Sequence, residues 1–400
     1  MRFIPCNILS ALFAVLSMVM ASTMFLVSPE FVPAAPEAKQ RSDVKRLRVP
    51  NKGIQPQVAV DDKGIVHLIY LHGDPRHGDI FYVRSKDGGE TFSRPSRVNS
   101  VDGSAIAIGN IRGAHLAVGK KGRVHVAWNS SGKKAPGNEG MLYTRLGDDG
   151  TAFEPQRNVI HAAEGLDGGG SVAADEAGNV YVVWHAAKPG EKRDEDNRHV
   201  WVARSTDEGK TFAAEKMADE KETGVCGCCG LRAFADPKGT VYVLYRAATE
   251  HVHRDTFLLT SKDKGESFQS DKVQPWKVEG CPMSSYALAD GRADVLASWE
   301  TNGQVYFARI DPSTGKKSEP ITAPGEGRDR KHSVVACNKR GETILVWTEG
   351  MGWERGGSVA WQVFGKDGKP TAQHGRADGV PVWSLVAVFA RPDDGFTVVY

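Results

Sequence analysis

The stretch Gln57-Val58-Ala59-Val60-Asp61-Asp62-Lys63-Gly64-Ile65-Val66-His67-Leu68-Ile69-Tyr70 reads as two β-rich runs joined by a polar turn containing a glycine, which is the form of a hairpin. The same form returns at His115 to Trp128, Ser171 to Trp184, Arg232 to Tyr245, Ser285 to Trp299 and Val334 to Trp347, with a last copy at Leu385 to Tyr400. A period of about 45 to 60 residues marks a repeat architecture. After most hairpins a third run follows, as in Asp79-Ile80-Phe81-Tyr82-Val83-Arg84, and then a weaker fourth. Four antiparallel strands per repeat make a propeller blade. No run is followed by a helical pattern, which argues against βαβ units. The expectation is an all-β chain whose residues 45–400 form one β-propeller domain, six-bladed on the full repeats and seven-bladed if the terminal copy closes the ring. A strand around Arg46 to Val49 is placed to pair with that copy, because closure removes exposed sheet edges.

Between the third and fourth runs stands Ser85-Lys86-Asp87-Gly88-Gly89-Glu90-Thr91-Phe92, repeated as Ser205 to Phe212 and Ser261 to Phe268, with a degenerate copy that keeps Asp148, Gly150 and Phe153. Ser and Asp can hydrogen-bond the turn's own backbone, Gly can take positive φ, and the aromatic can pack between sheets. These segments resemble the Asp boxes of the sialidase superfamily, and the resemblance spans the propeller. It implies that the boxes are structural and lie on the rim opposite the active face. That face would gather the second-to-third-strand loops and the connections between blades.

The resemblance also implies three arginines that hold a substrate carboxylate, an aspartate as acid/base, and a tyrosine nucleophile activated by glutamate. Guanidinium forks suit carboxylates, and a cationic transition state favours an anionic or phenolic nucleophile. On this chain Asp79 and Asp74 are the acid/base candidates, Arg112, Arg246 and Arg254 the anion clamp, and Trp276 a stacking plate for a sugar. Two positions depart from the family pattern. Ile54-Gln55-Pro56 stands where the family's Arg-Ile-Pro signature aligns, and Trp383 stands where the nucleophilic tyrosine would be. Indole cannot replace phenolate, so a binding propeller without turnover competes with a glycoside hydrolase of the exo type.

A formal charge of +2, from 51 basic and 49 acidic residues, gives no reason to expect nucleic acid as a partner. The expected ligand is a glycan or another small anion. Residues 1–35 read as a signal peptide or N-terminal anchor with its leader, because Ile8 to Val27 carries no charge, which places the protein outside the cytoplasm. Cys226, Cys228, Cys229 and Cys281 open two successive repeats at corresponding positions. A disulfide from Cys281 to one of the other three would close a loop of about 55 residues and stabilise by roughly 4 kcal/mol. A soft-metal site completed by His251, His253 or Met283 and a redox thiol pair are the other readings. No cofactor is required by the rest of the sequence.

Overall fold

Each repeat becomes a twisted antiparallel sheet. In the computed structural model, which describes residues 44–218 and 223–400, the first blade is built from Ile54–Val60, Val66–His72, Asp79–Ser85 and the short Ser96–Arg97, paired in that order. Five further four-stranded sheets repeat this plan, with innermost strands His115–Gly119, Glu164–Ala174, Arg232–Ala235, Ala287–Asp290 and Arg330–Cys337. The seventh sheet has three strands: Ala387–Ala390, Phe396–Val399 and Lys45–Leu47. The seven-bladed count is therefore the one the chain adopts. Six complete repeats are visible as sequence, whereas the seventh blade is assembled from both ends of the domain.

Closure runs through backbone hydrogen bonds. Lys45–Leu47 lies parallel to Phe396–Val399 with Arg46 opposite Val398, and Tyr400 N donates to Leu47 O at 3.0 Å. The innermost strands contact one another in sequence order, and Ile54–Val60 meets both Ala387–Ala390 and His115–Gly119, so the ring has no gap. Seven apolar clusters fill the seven interfaces between neighbouring blades. In six of the seven sits a buried aromatic from the second strand of a blade: Tyr70, Trp128, Trp184, Tyr245, Trp299 or Trp347. No helix among the described residues is long and apolar enough to cross a membrane. The segment read as a signal peptide or anchor lies outside the described residues.

The Ser-Xaa-Asp turns of the first, third and fourth blades bind their own backbone, and the phenylalanine that ends each packs against the blade before it. Ser85 Oγ donates to Asp87 Oδ1 at 2.6 Å and accepts from Gly89 N at 2.8 Å, while Thr91 donates its backbone N–H to Asp87 Oδ1 and its hydroxyl to Oδ2. Ser205, Asp207 and Thr211 repeat the set, as do Ser261, Asp263 and Ser267. In the degenerate copy the bonding aspartate is Asp149, which holds Thr151, and Asp148 instead pairs with Arg123. The threonine there follows its aspartate by two residues instead of four. Phe212 packs edge-on to Tyr143 of the preceding blade with centroids 4.8 Å apart, and Phe153 meets Tyr82 in the same way.

Gly209 has φ of 78°, and a Cβ there would lie 1.8 Å from Tyr143 Oη. Gly150 has φ of 67° with nothing within 4 Å of a Cβ. Gly150→Ala should cost only the left-handed backbone penalty of about 1–2 kcal/mol, and Gly209→Ala should cost clearly more, since it adds the displacement of a buried tyrosine. Denaturant midpoints of the two variants check this, and equal losses would refute the interlocking role of the turn.

Candidate functional site

Where the innermost strands begin, polar residues replace the apolar pattern and face the propeller axis. Gln57, Asn110, His115, Arg232, Ser285 and His332 line a cavity of about 60 Å³ there, and on the far side of Arg232 the channel continues as an apolar section of about 280 Å³. Hydrogen bonds order the polar end across blades. Arg232 Nη1 donates to Gln57 Oε1 at 2.7 Å and to His115 Nδ1 at 3.2 Å, so His115 Nδ1 acts as an acceptor. Ser171 Oγ lies 2.9 Å from the same nitrogen and accepts from Ala233 N. Ser285 Oγ is 3.0 Å from His332 Nδ1.

The electrostatics of this cavity rest on one cation. Arg232 has no carboxylate partner among the described residues, and burial alone brings its pKa down to about 10, which leaves it charged at neutral pH. Burial holds His115 well below its ordinary value. His332 falls to about 3 through burial, with Lys331 adding to the effect. Both imidazoles are therefore neutral. A guanidinium held by the neutral acceptors Gln57 Oε1 and His115 Nδ1, with no anion beside it among the described residues, is an anion-binding arrangement.

Backbone conformation at this rim is costly. Gln55, Met283, His332 and Trp383, just upstream of or at the start of four innermost strands, have φ between 50° and 61°. Such conformations cost of order 1–3 kcal/mol each and persist where surrounding contacts enforce them. Gln55 is held by Nε2 bonds to Ala107 O and Trp383 O. Asn110 Nδ2 bonds Ser384 O at 2.8 Å. Beside this knot stands Trp353, 59% exposed, edge-on to the buried Trp383 with centroids 4.7 Å apart. A Cβ on Gly109, the neighbour of cavity-lining Asn110, would lie 3.9 Å from the Trp353 ring. An exposed indole thus lies beside Gly109 and Trp383, residues within two positions of the cavity lining in sequence.

The residues singled out in the sequence lie as follows. Arg112 Nη2 donates to Asp167 Oδ1 at 2.5 Å, and Arg198 binds the other oxygen at 2.9 Å. Arg246 is fully buried, donating to the carbonyls of Arg254 and Glu300, with Glu300 Oε2 at 3.5 Å. Arg254 Nη1 donates to Glu195 Oε2 at 2.7 Å. Each of the three thus has its own carboxylate, and none lines the axial cavity. Asp79 Oδ1 accepts from Asn99 Nδ2 and Gly103 N, tying the connection after the fourth strand to the start of the third, and exposed Asp74 accepts from Arg76 N. Trp276 stacks on Arg246, whose guanidinium carbon is 4.8 Å from the ring. Cys228 is bonded to Cys281, as a staple between consecutive blades, while Cys226 and Cys229 are free and buried. His251 lies 3.0 Å from Asp196 and His253 3.6 Å from Glu250.

Sequence reasoning missed Arg232 as an individual and Trp353 altogether. Arg232 was discoverable as the residue standing where other repeats begin with Gln57, His115, Ser171 and Ser285. Trp353 sits among Gly350, Gly352, Gly356 and Gly357, in a loop of the class already assigned to the functional face.

The neutral histidines make stability pH-dependent. His125 is also brought down to about 3, by burial first and then by Arg123 and Arg145. A folded-state pKa below the unfolded value of about 6.5 means that the unfolded chain takes up the proton, so stability is complete above about 6.5 and is lost as pH falls toward 3. The slope is up to about 1.4 kcal/mol per pH unit for each such histidine. Urea midpoints should fall between pH 7 and pH 5, less steeply in His332→Gln. A flat profile would contradict the neutral assignment.

No protein-family model matches this sequence, and no curated protein matches it. Among solved structures, a Hadza microbial sialidase, Hz136, is similar at 14% identity and a TM-score of 0.49, over 74% of this chain and 63% of its own. The NanB sialidase of Streptococcus pneumoniae is similar at 12% identity and a TM-score of 0.44, over 85% and 63%. An ulvan lyase of polysaccharide lyase family PL25 is similar at 11% identity and a TM-score of 0.48, over 80% and 83%. The chain thus spans 63% of the length of these two sialidases, and at such identities nothing about activity passes to it. The seven-bladed β-propeller is established by the chain's own strand pairing.

Proposed function

We propose that this protein is a carbohydrate-recognising propeller that takes the carboxylate of an acidic sugar into the axial cavity and seats the sugar ring against Trp353. The observation that carries this reading is Arg232, a charged guanidinium facing the cavity with no carboxylate among the described residues to neutralise it. A cavity of about 60 Å³ suits a carboxylate or a few waters and not a whole sugar ring, so the ring belongs at the mouth. The Trp353 indole offers the flat apolar surface that a pyranose face packs against.

Binding without turnover is favoured over hydrolysis by the cavity lining, which contains no aspartate or glutamate. Its tyrosine, Tyr286, is buried with its hydroxyl 3.4 Å from Thr256 Oγ1. Burial raises the Tyr286 pKa above the ordinary phenol value, so it serves as an aromatic wall. Hydrolysis through Asp79 or Asp74 draws support from the sequence resemblance alone. The same reading places the protein outside the cytoplasm, supported by the Cys228–Cys281 disulfide and the uncharged stretch from Ile8 to Val27, since disulfides persist in oxidising compartments.

Calorimetric titration with glucuronic acid, N-acetylneuraminic acid and glucose tests the proposal. An acid sugar should bind and glucose should not. Arg232→Gln should weaken binding at least roughly tenfold, the worth of one charge-assisted hydrogen bond of about 1.5–3 kcal/mol, with the thermal midpoint followed to confirm folding. Equal binding of neutral and acidic sugars, or an unaffected Arg232→Gln variant, would refute it.

A further inference from the structure

Four cysteines converge beside the axial face at the junction of the fourth and fifth blades. Cys226, Cys228 and Cys229 lie in the turn that leads to Arg232, and Cys281 arrives from the connection to the fifth blade to bond Cys228. A staple needs two of them. The other two thiols, Cys226 and Cys229, are buried with their sulfurs 3.0 Å apart, and Cys226 Sγ is also 3.4 Å from the bonded Sγ of Cys228. Cys281, the other half of that disulfide, is exposed. A buried dithiol therefore abuts one sulfur of a disulfide whose second sulfur faces solvent.

We propose that Cys226 and Cys229 form an internal dithiol that exchanges with the Cys228–Cys281 disulfide, so that this junction is a thiol–disulfide exchange site acting on external disulfides through Cys281. A proton passes from Cys226 Sγ to the Cys229 thiolate along their hydrogen bond. The Cys226 thiolate attacks Cys228 Sγ; the Cys226–Cys228 bond forms, the Cys228–Cys281 bond breaks, and Cys281 leaves with the electron pair and takes a proton from water. Cys229 then loses its proton and attacks Cys226 Sγ, closing Cys226–Cys229 and releasing Cys228 as a thiol. Two thiols are oxidised and two are regenerated, with no outside oxidant. The exposed Cys281 thiol next gives up its proton and attacks an external disulfide, whose departing sulfur takes a proton, and Cys228 resolves the mixed disulfide in the same way, releasing the second external thiol. Two electrons have then moved from Cys226 and Cys229 to the external disulfide.

The surroundings suit this chemistry. Burial opposes ionisation of Cys229, but the hydrogen bond from Cys226, the Arg246 charge and the Ser284 backbone outweigh it, so its pKa lies below the ordinary thiol value. The hydrogen bond to Cys229, followed by burial, keeps Cys226 protonated until that proton moves. Thiolate attack is the step on which exchange depends.

The test uses the full-length protein without reductant, incubated with iodoacetamide under native conditions, with peptide mass spectrometry of acid-quenched samples. Cys228 and Cys281 should become alkylated over time as a Cys226–Cys229 disulfide appears in the same molecules. Cys226→Ser should slow labelling of Cys281 by roughly tenfold or more, because the thiol 3.4 Å from Cys228 Sγ is removed, whereas Cys337→Ser should leave it unchanged. Cys229→Ser, which permits the first exchange and blocks the second, should accumulate the Cys226–Cys228 bond and keeps the proposal testable if Cys226→Ser does not fold. Cys281 that stays unlabelled in the wild type, or labels equally in Cys226→Ser, overturns the proposal. So does protection of all four thiols that disappears on adding a chelator, which would assign the cluster to a metal.

Discussion

Closure of the ring is the constraint on which everything else rests. A seventh sheet of only Ala387–Ala390 and Phe396–Val399 would leave an open edge and an unfilled interface with the first blade. Lys45–Leu47 satisfies the backbone groups of Phe396–Val399 and ties the two ends of the domain together. Since the hydrogen bonds of an unpaired strand edge have no other protein partner, the pairing fixes the blade count. The blade count in turn fixes how closely the seven innermost strands approach the axis.

That approach explains the character of the site. Where the strands begin, side chains from different blades point into one narrow space, and whatever polar groups they carry must satisfy one another. Gln57, His115, Ser171 and Arg232 do so across four blades. The same crowding makes the two histidines neutral and leaves Arg232 as the cation of the cavity. Elsewhere on this face the chain pairs its arginines internally: Arg112 and Arg198 with Asp167, Arg254 with Glu195, Arg246 with Glu300. A buried charge is tolerable when paired or hydrogen-bonded, and Arg232 departs from its neighbours by having hydrogen bonds without a counter-charge among the described residues.

The architecture was legible in the sequence because each hairpin carries its own local pattern: alternating apolar runs, a glycine turn, and an aromatic such as Trp128 or Trp184 at a fixed offset. The closing strand was legible too, since an edge left open at the last copy demands a partner. The site was less so. Arg112, Arg246 and Arg254 stand in loops of the right class, but a sequence does not show that Asp167, Glu300 and Glu195, from 55, 54 and 59 residues away, meet them. Trp353 and Trp383, thirty residues apart, likewise become neighbours only through the packing of two blades. The cysteine junction was half legible. Corresponding positions in adjacent repeats indicated a bond to Cys281, whereas the choice of Cys228, with Cys226 and Cys229 left as thiols, depends on the geometry of one turn.

The most direct test of the account is a crystal structure of the protein with bound glucuronic acid. The account predicts the carboxylate within hydrogen-bond distance of the Arg232 guanidinium, with the sugar ring against Trp353 at the cavity mouth. A sugar bound elsewhere on the face, or an axial cavity holding only water in a crystal saturated with the acid, would contradict it.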